Sequence, residues 1–268
     1  LEDILQKRLY GQHLVQDIVV NAIRSHWSNN SKPQKALALS LRGTPGSGKT
    51  YVTNFIKENL YASGHKSNFV NHFNARNDFA SKKNIDEYEE DIHMKIERKV
   101  TQCPKQLFIF DESDLIPPQL LDKLKFMIDY NVDYTQSIFI FLSHIGGELI
   151  NDHYFYLLKE ANKTREDLKL ADFYTLISKE AFFKEDNDFY NSLVKTFLID
   201  HYVPFLPMER RHVRQCIVDE FLRRNIMNPK EEYINKILEI VQWVPLNEKV
   251  FSRSGCKQIS QQNIGSTS

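Results

Sequence analysis

The chain is short of cysteine, of net charge and of long apolar runs, and each shortage excludes something. Three cysteines in 268 residues, Cys103, Cys216 and Cys256, are too few for a disulfide scaffold, and none stand at zinc-binding spacing. They read either as buried small hydrophobes or, for one pair, as a disulfide in an oxidising compartment. Lys plus Arg and Asp plus Glu both number 35, so the formal net charge is zero. No run of like charges forms a tail, and the whole-chain basic footprint of a nucleic-acid binder is missing. The longest apolar runs, such as residues 137–142, are far too short to span a bilayer. The N-terminus does not read as a signal peptide, although the chain opens on Leu1, so that carries little weight. No internal repeat or low-complexity segment appears.

What is present is a globular composition. Hydrophobic residues make up 41% of the chain, enough to bury one large domain or a large domain with a small one. Apolar residues at helical spacing predict a helix over 12–27, ahead of a polar loop. Residues 36–41 form a short apolar run that ends at Gly43, the pattern of a buried strand entering a glycine-rich turn. Val52, Phe55, Ile56 and Leu60 then predict a helix that stops near Gly64. Further strands are expected over 69–73, 107–110, 137–142 and 202–206. Helices are expected around Ile92, Ile96 and Val100, over 120–130, and through most of 151–196. Strands separated by helices imply a parallel α/β sheet. Beyond Pro207 the pattern changes to two helices, 209–224 and 231–241, then Pro245 and a polar tail. The expected division is a large domain over 1–206 and a small helical domain over 207–268.

Two motifs carry chemistry. Gly43-Thr44-Pro45-Gly46-Ser47-Gly48-Lys49-Thr50 matches the phosphate-loop pattern G-x-x-x-x-G-K-[ST] in full. Glycines let the backbone turn its N–H groups toward phosphates, and the following helix aims its positive end at the same charge. Lys49 is placed to reach the β- and γ-phosphates and Thr50 to ligate magnesium, with Tyr51 next in line. The ligand expected is a nucleoside triphosphate, ATP with Mg2+. The second motif is Leu107-Phe108-Ile109-Phe110 running into Asp111-Glu112, a buried strand that ends on two acids. Asp111 is expected at the metal. Glu112 is expected to orient and deprotonate an attacking water. A third strand ends in Ser143-His144, either of which can sense a γ-phosphate; the alternative is a loop histidine with no role.

In this order these elements resemble the AAA+ ATPases. Tyr10-Gly11-Gln12-His13 looks like the segment that borders the adenine in the Clp/Hsp100 branch. The chain is more similar still to the torsins. The residues that carry this are Phe108-Ile109-Phe110-Asp111-Glu112, Phe139-Ile140-Phe141-Leu142-Ser143, Val203-Pro204-Phe205-Leu206-Pro207, Phe251-Ser252 and Gly255-Cys256-Lys257. The resemblance implies an AAA+ fold, with a central parallel sheet and a small C-terminal helical domain. It implies a second sensor at Lys257 and a disulfide between Cys216 and Cys256. It implies residence in the endoplasmic reticulum lumen and perinuclear space, and chaperone-like remodelling. The sequons Asn29-Asn30-Ser31 and Asn162-Lys163-Thr164 are compatible with a secreted-pathway glycoprotein.

The resemblance is to an invertebrate-like or divergent torsin, and three departures from the wider patterns qualify it. Thr50 stands where the best-known torsins carry Asn. His144 stands where they place Asn as the first sensor. Leu198, before Ile199-Asp200, stands where Clp-type relatives carry an arginine that reaches a neighbour's site, a loss shared with torsins. An arginine finger is worth roughly 10³–10⁵ in phosphoryl-transfer rate. The resemblance therefore implies a membrane-anchored activator whose luminal AAA+-like domain supplies that arginine, and it leaves a homo-oligomer open. Arg210 and Arg211 lie past the strand and read as a solvated helix face. Tyr88 lies in the region of a pore loop but reads as a surface tyrosine.

Overall fold

A computed structural model describes residues 1–28, 32–79, 85–129, 132–183 and 198–259. Strands β1 (Leu37–Arg42), β2 (Val70–Asn74), β3 (Leu107–Asp111), β4 (Ile138–Ser143) and β5 (His201–Pro204) form one all-parallel sheet, ordered β2-β3-β4-β1-β5. Both faces of the sheet are covered, so β1 and β4 are buried at every residue and read as continuous apolar runs.

Strand alternation sorts the side chains into two faces. One face is aromatic: Phe73 stacks on Phe110 at 5.0 Å, and Phe110 on Phe141 at 5.3 Å, across three neighbouring strands. It is covered by α5 (Ile85–Gln102), α6 (Pro118–Asp129), α7 (Gly147–Lys159) and α8 (Leu170–Phe183). The other face is aliphatic, with Leu39, Leu41, Ile109, Ile140 and Val203 fully buried. It is covered by α1 (Glu2–Arg8), α2 (His13–His26) and α3 (Lys49–Leu60). A third core begins at Met208. It packs α9 (Arg210–Arg223), α10 (Glu231–Ile240) and the two-residue strands β6 (Trp243–Val244) and β7 (Phe251–Ser252) around Ile217, Phe221, Ile234 and Leu238. The single turn α4 (Ala75–Asp78) follows β2.

The expected strands all form, with shifts that have physical causes. The last strand ends at Pro204 rather than at 206, because the Gln12 side chain takes over: its Oε1 accepts from Leu206 N at 2.9 Å. The helical stretch expected through 151–196 is two helices, α7 and α8, broken by a loop around Arg165; residues 184–197 lie outside the described residues. The small antiparallel pair β6–β7 occupies what reads in sequence as the start of a polar tail. Helix α1 was not expected. Its seven residues give too little periodicity to show, and it is held by Leu5, fully buried, with Leu9 just beyond it. The sequon at Asn29 also lies outside the described residues. The sequon at Asn162 is exposed, in a left-handed turn.

Candidate nucleotide site

Ligand crevices in parallel sheets open at the carboxyl ends of the strands. Here β1 runs into the phosphate loop, β3 ends on Asp111 and β4 leads to His144. These ends open on a cavity of about 580 Å³. Residues 45–51 line it together with Asp111, Glu112 and His144. Arg8, Leu9, Tyr10, Met208, Asp219 and Lys257 also stand on its wall. Ser143, the other sensor candidate, is buried off the cavity wall. Of the phosphate-loop residues, only Gly43 and Thr44 stay off it. Both are buried beneath the loop, and a Cβ on Gly43 would meet Phe205 at 2.8 Å.

Lys49 opens α3 and is 6% exposed. Its Nζ donates to Gly43 O at 2.5 Å and Thr44 O at 3.1 Å, and stands 3.1 Å from His144 Nδ1. Burial pushes its pKa down to about 8; Asp114 and Asp111 oppose that shift, and Lys257 adds to it. His144 is also held below its ordinary value, by burial first and by the Lys49 charge second. The ring is therefore neutral at physiological pH. With Nδ1 accepting from the Lys49 ammonium, its one proton sits on Nε2.

Asp111 Oδ1 accepts from Glu112 N at 2.9 Å. Glu112 has φ 51, the left-handed region that costs a non-glycine residue about 1–2 kcal/mol. Its Oε2 accepts from Arg76 Nε, on α4, at 2.6 Å. Two polar atoms here are buried with no hydrogen-bond partner among the described residues: Ser47 Oγ within the loop and Asp114 Oδ1 beside it. Such atoms are costly unless a ligand meets them, so the loop has polar capacity to spare.

Cys216 and Cys256 form a disulfide, and Cys103 is a free, half-buried thiol. The disulfide ties α9 to the Gly-Cys-Lys turn, and that turn touches the phosphate loop: Cys256 N donates to Gly46 O at 3.3 Å. Leu198 is fully buried in the aromatic-face core, so it presents nothing to a neighbouring molecule. Arg210 lies over the Trp243 ring at 5.5 Å, and Arg211 pairs with Glu209 and Glu166, each at 2.8 Å. The α5 backbone places position 88 on a helix; the Tyr88 side chain lies outside the described residues.

The segment Tyr10-Gly11-Gln12-His13, expected at the base, is divided in the structure, with His13 off the cavity wall and its Nε2 3.0 Å from Leu168 O. Tyr10 lines the cavity, and its hydroxyl donates to Asp219 at 2.7 Å. Gln12 is instead a buried bolt, 1% exposed, donating to Ser47 O at 3.1 Å and Leu206 O at 2.8 Å. Arg8, Asp219 and Arg165 were missed. Arg165 had one legible signal: Thr164-Arg165-Glu166-Asp167 has the spacing of a capping box, which the structure forms.

Comparison with known proteins agrees with this architecture. The Torsin family model matches residues 1–110, and the model for the Torsin-1A C-terminal domain matches residues 208–263. A torsin-like protein of Caenorhabditis elegans is 39% identical over 263 residues, 94% of this chain and 72% of its own length. A torsin-like protein of Drosophila melanogaster is 34% identical, over 97% of this chain and 79% of its own length. Torsin-3A of Homo sapiens is 39% identical, over 97% and 67%. Among solved structures, the S. cerevisiae Hsp104–ADP complex superposes with a TM-score of 0.65 at 17% identity. The Hsp104:casein complex in its extended conformation gives 0.67 at 17% identity. Each match covers 97% of this chain, which spans 45% of the Hsp104 chain, and each speaks for the fold: an α/β AAA+ fold.

Proposed function

The chain belongs to the torsin family of AAA+ ATPases, and from that premise we propose that it binds ATP with magnesium at residues 43–50 and turns it over rapidly only when a second protein completes the site. The observation that carries this reading is Leu198. The position where Clp-type relatives project an arginine holds a leucine with no exposed surface. Phosphoryl transfer spreads negative charge over the transferring oxygens, and this chain is one cation short of meeting it.

The residues present fit the rest of the task. The loop N–H groups, the α3 N-terminus and the orphaned Ser47 hydroxyl receive phosphate oxygens. Lys49 exchanges the Gly43 and Thr44 carbonyls for the β- and γ-phosphates. Thr50 and Asp111 offer one hydroxyl and one carboxylate to the same cavity. That set would suit magnesium, a hard cation that takes oxygen ligands. When bound, the ion neutralises part of the phosphate charge. The His144 Nε2–H donates toward the γ-phosphate, as the first sensor, and Lys257 adds a second cation from the lid. Glu112 orients and deprotonates water once it parts from Arg76.

The arginine comes from a membrane-anchored activator with a luminal AAA+-like domain. The compartment is the endoplasmic reticulum lumen and perinuclear space; the disulfide between α9 and the Gly-Cys-Lys turn favours an oxidising environment. There the chain acts as a chaperone-like remodelling factor. The test is a pull-down with Glu112→Gln in ATP. Stable capture of an AAA+-like luminal partner supports the reading, and no ATP-dependent capture rejects it. A second reading, a nucleotide-gated assembly protein in which hydrolysis is minor, draws on the Arg76–Glu112 ion pair, which keeps the base occupied. Under it, Glu112→Gln changes partner binding little.

A further inference from the structure

Arg165 is 3% exposed, far from the phosphate loop in sequence, and not on the cavity wall. A buried guanidinium is tolerated only when its donors are met. Its Nε and Nη2 donate to Gly11 O at 2.8 and 2.5 Å. Its Nη1 donates to Pro207 O at 2.8 Å and to Tyr154 Oη at 3.0 Å, and reaches Glu209 Oε1 at 3.3 Å.

The two carbonyls matter for where they lie. Gly11 follows Tyr10, which lines the cavity and bonds Asp219 on α9. Pro207 precedes Met208, which also lines the cavity, and Glu209, which caps α9, the helix that carries Asp219. One side chain thus grips both chain segments that lead into the Tyr10 and α9 part of the wall. Gly11 has little freedom to find another position. Its φ is +68, and a Cβ there would meet the His212 ring at 2.8 Å.

We propose that Arg165 is a positioning residue for the nucleoside half of the ligand: by fixing the Gly11 and Pro207 carbonyls it sets the width of the slot between Tyr10 and α9 that receives base and ribose. The inference rests on the nucleotide-binding reading above. The phosphate end is held by the loop and Lys49, neither of which Arg165 touches, so the two halves of the ligand should respond differently to its loss.

The experiment compares ADP with inorganic tripolyphosphate, each with magnesium, by calorimetric titration of the wild type, Arg165→Met and Arg165→Lys, with thermal unfolding as the check on folding. Removing charge-assisted bonds to two carbonyls should weaken ADP about tenfold or more in Arg165→Met, with tripolyphosphate unchanged. Arg165→Lys keeps the charge without the fork and should recover part of the ADP affinity. If Arg165→Met does not fold, Arg165→Lys is read by the same criterion: a loss confined to ADP. Equal loss of both ligands, as general destabilisation would give, overturns the proposal, as does unchanged ADP affinity. If the wild type binds neither ligand, the nucleotide reading itself falls and this inference with it.

Discussion

Gly46 of the phosphate loop and Gly255 of the Gly-Cys-Lys turn lie back to back. A Cβ on Gly46 would stand 1.8 Å from Ser254 O, and one on Gly255 would stand 2.1 Å from Gly46 O. Both residues have positive φ, +80 and +55. The lid turn is therefore pressed onto the loop that holds phosphate, main chain against main chain. Gly255→Ala should cost about 1–3 kcal/mol of stability through left-handed strain alone. It should also lower ADP affinity by pushing the turn off the loop. Urea unfolding and an ADP titration check both; unchanged affinity would make the contact incidental to binding.

The disulfide acts on the same contact. Cys216 and Cys256 are 40 residues apart, and closing a loop of that length stabilises the fold by about 4 kcal/mol in the chain-entropy treatment. The Cys216→Ser, Cys256→Ser double variant should lose stability on that scale. Because Cys256 N donates to Gly46 O, it should also bind ADP more weakly. Equal ADP affinity in oxidising and reducing buffer would leave the bond a static staple.

His212 makes the start of α9 sensitive to acid. Its Nδ1 accepts from Glu209 N at 3.2 Å, and burial first, then the Arg165 charge, pushes its pKa down to about 4. From pH 6.5 down to 4 the unfolded chain takes up this proton and the folded chain does not. Stability should fall as pH drops through that window, by about 3 kcal/mol in all from this group. Below 4 its contribution is constant. Urea midpoints across pH should show the slope in the wild type and lose most of it in His212→Gln; matching slopes would contradict the assignment.

Glu112 is engaged by Arg76, which in the proposed mechanism holds the base before it can act on water. Arg76→Ala should raise the basal ATPase rate severalfold, whereas Glu112→Gln should abolish it. A rate unchanged or lowered in Arg76→Ala would mean that the ion pair does not restrain the base.

The phosphate loop, the Asp111-Glu112 strand end and the sheet were legible in the sequence because their signals are local. Glycines, a lysine and apolar runs dictate backbone paths within a few residues. What escaped depends on main-chain partners far along the chain. Gln12 finishes the last strand from 194 residues away. Arg165 finds its acceptors among carbonyls, which every residue carries and no pattern displays. His144 reads in sequence as a switchable charge. Only burial beside Lys49 makes it a neutral donor with a defined tautomer.

If another protein supplies the cation this site lacks, as proposed, steady-state ATP turnover will show it. The isolated chain should turn over very slowly. Adding the luminal AAA+-like domain of a membrane-anchored activator should raise the rate by roughly 10³-fold or more, and replacing that domain's arginine should remove the gain. Rapid turnover by the isolated chain would contradict the account.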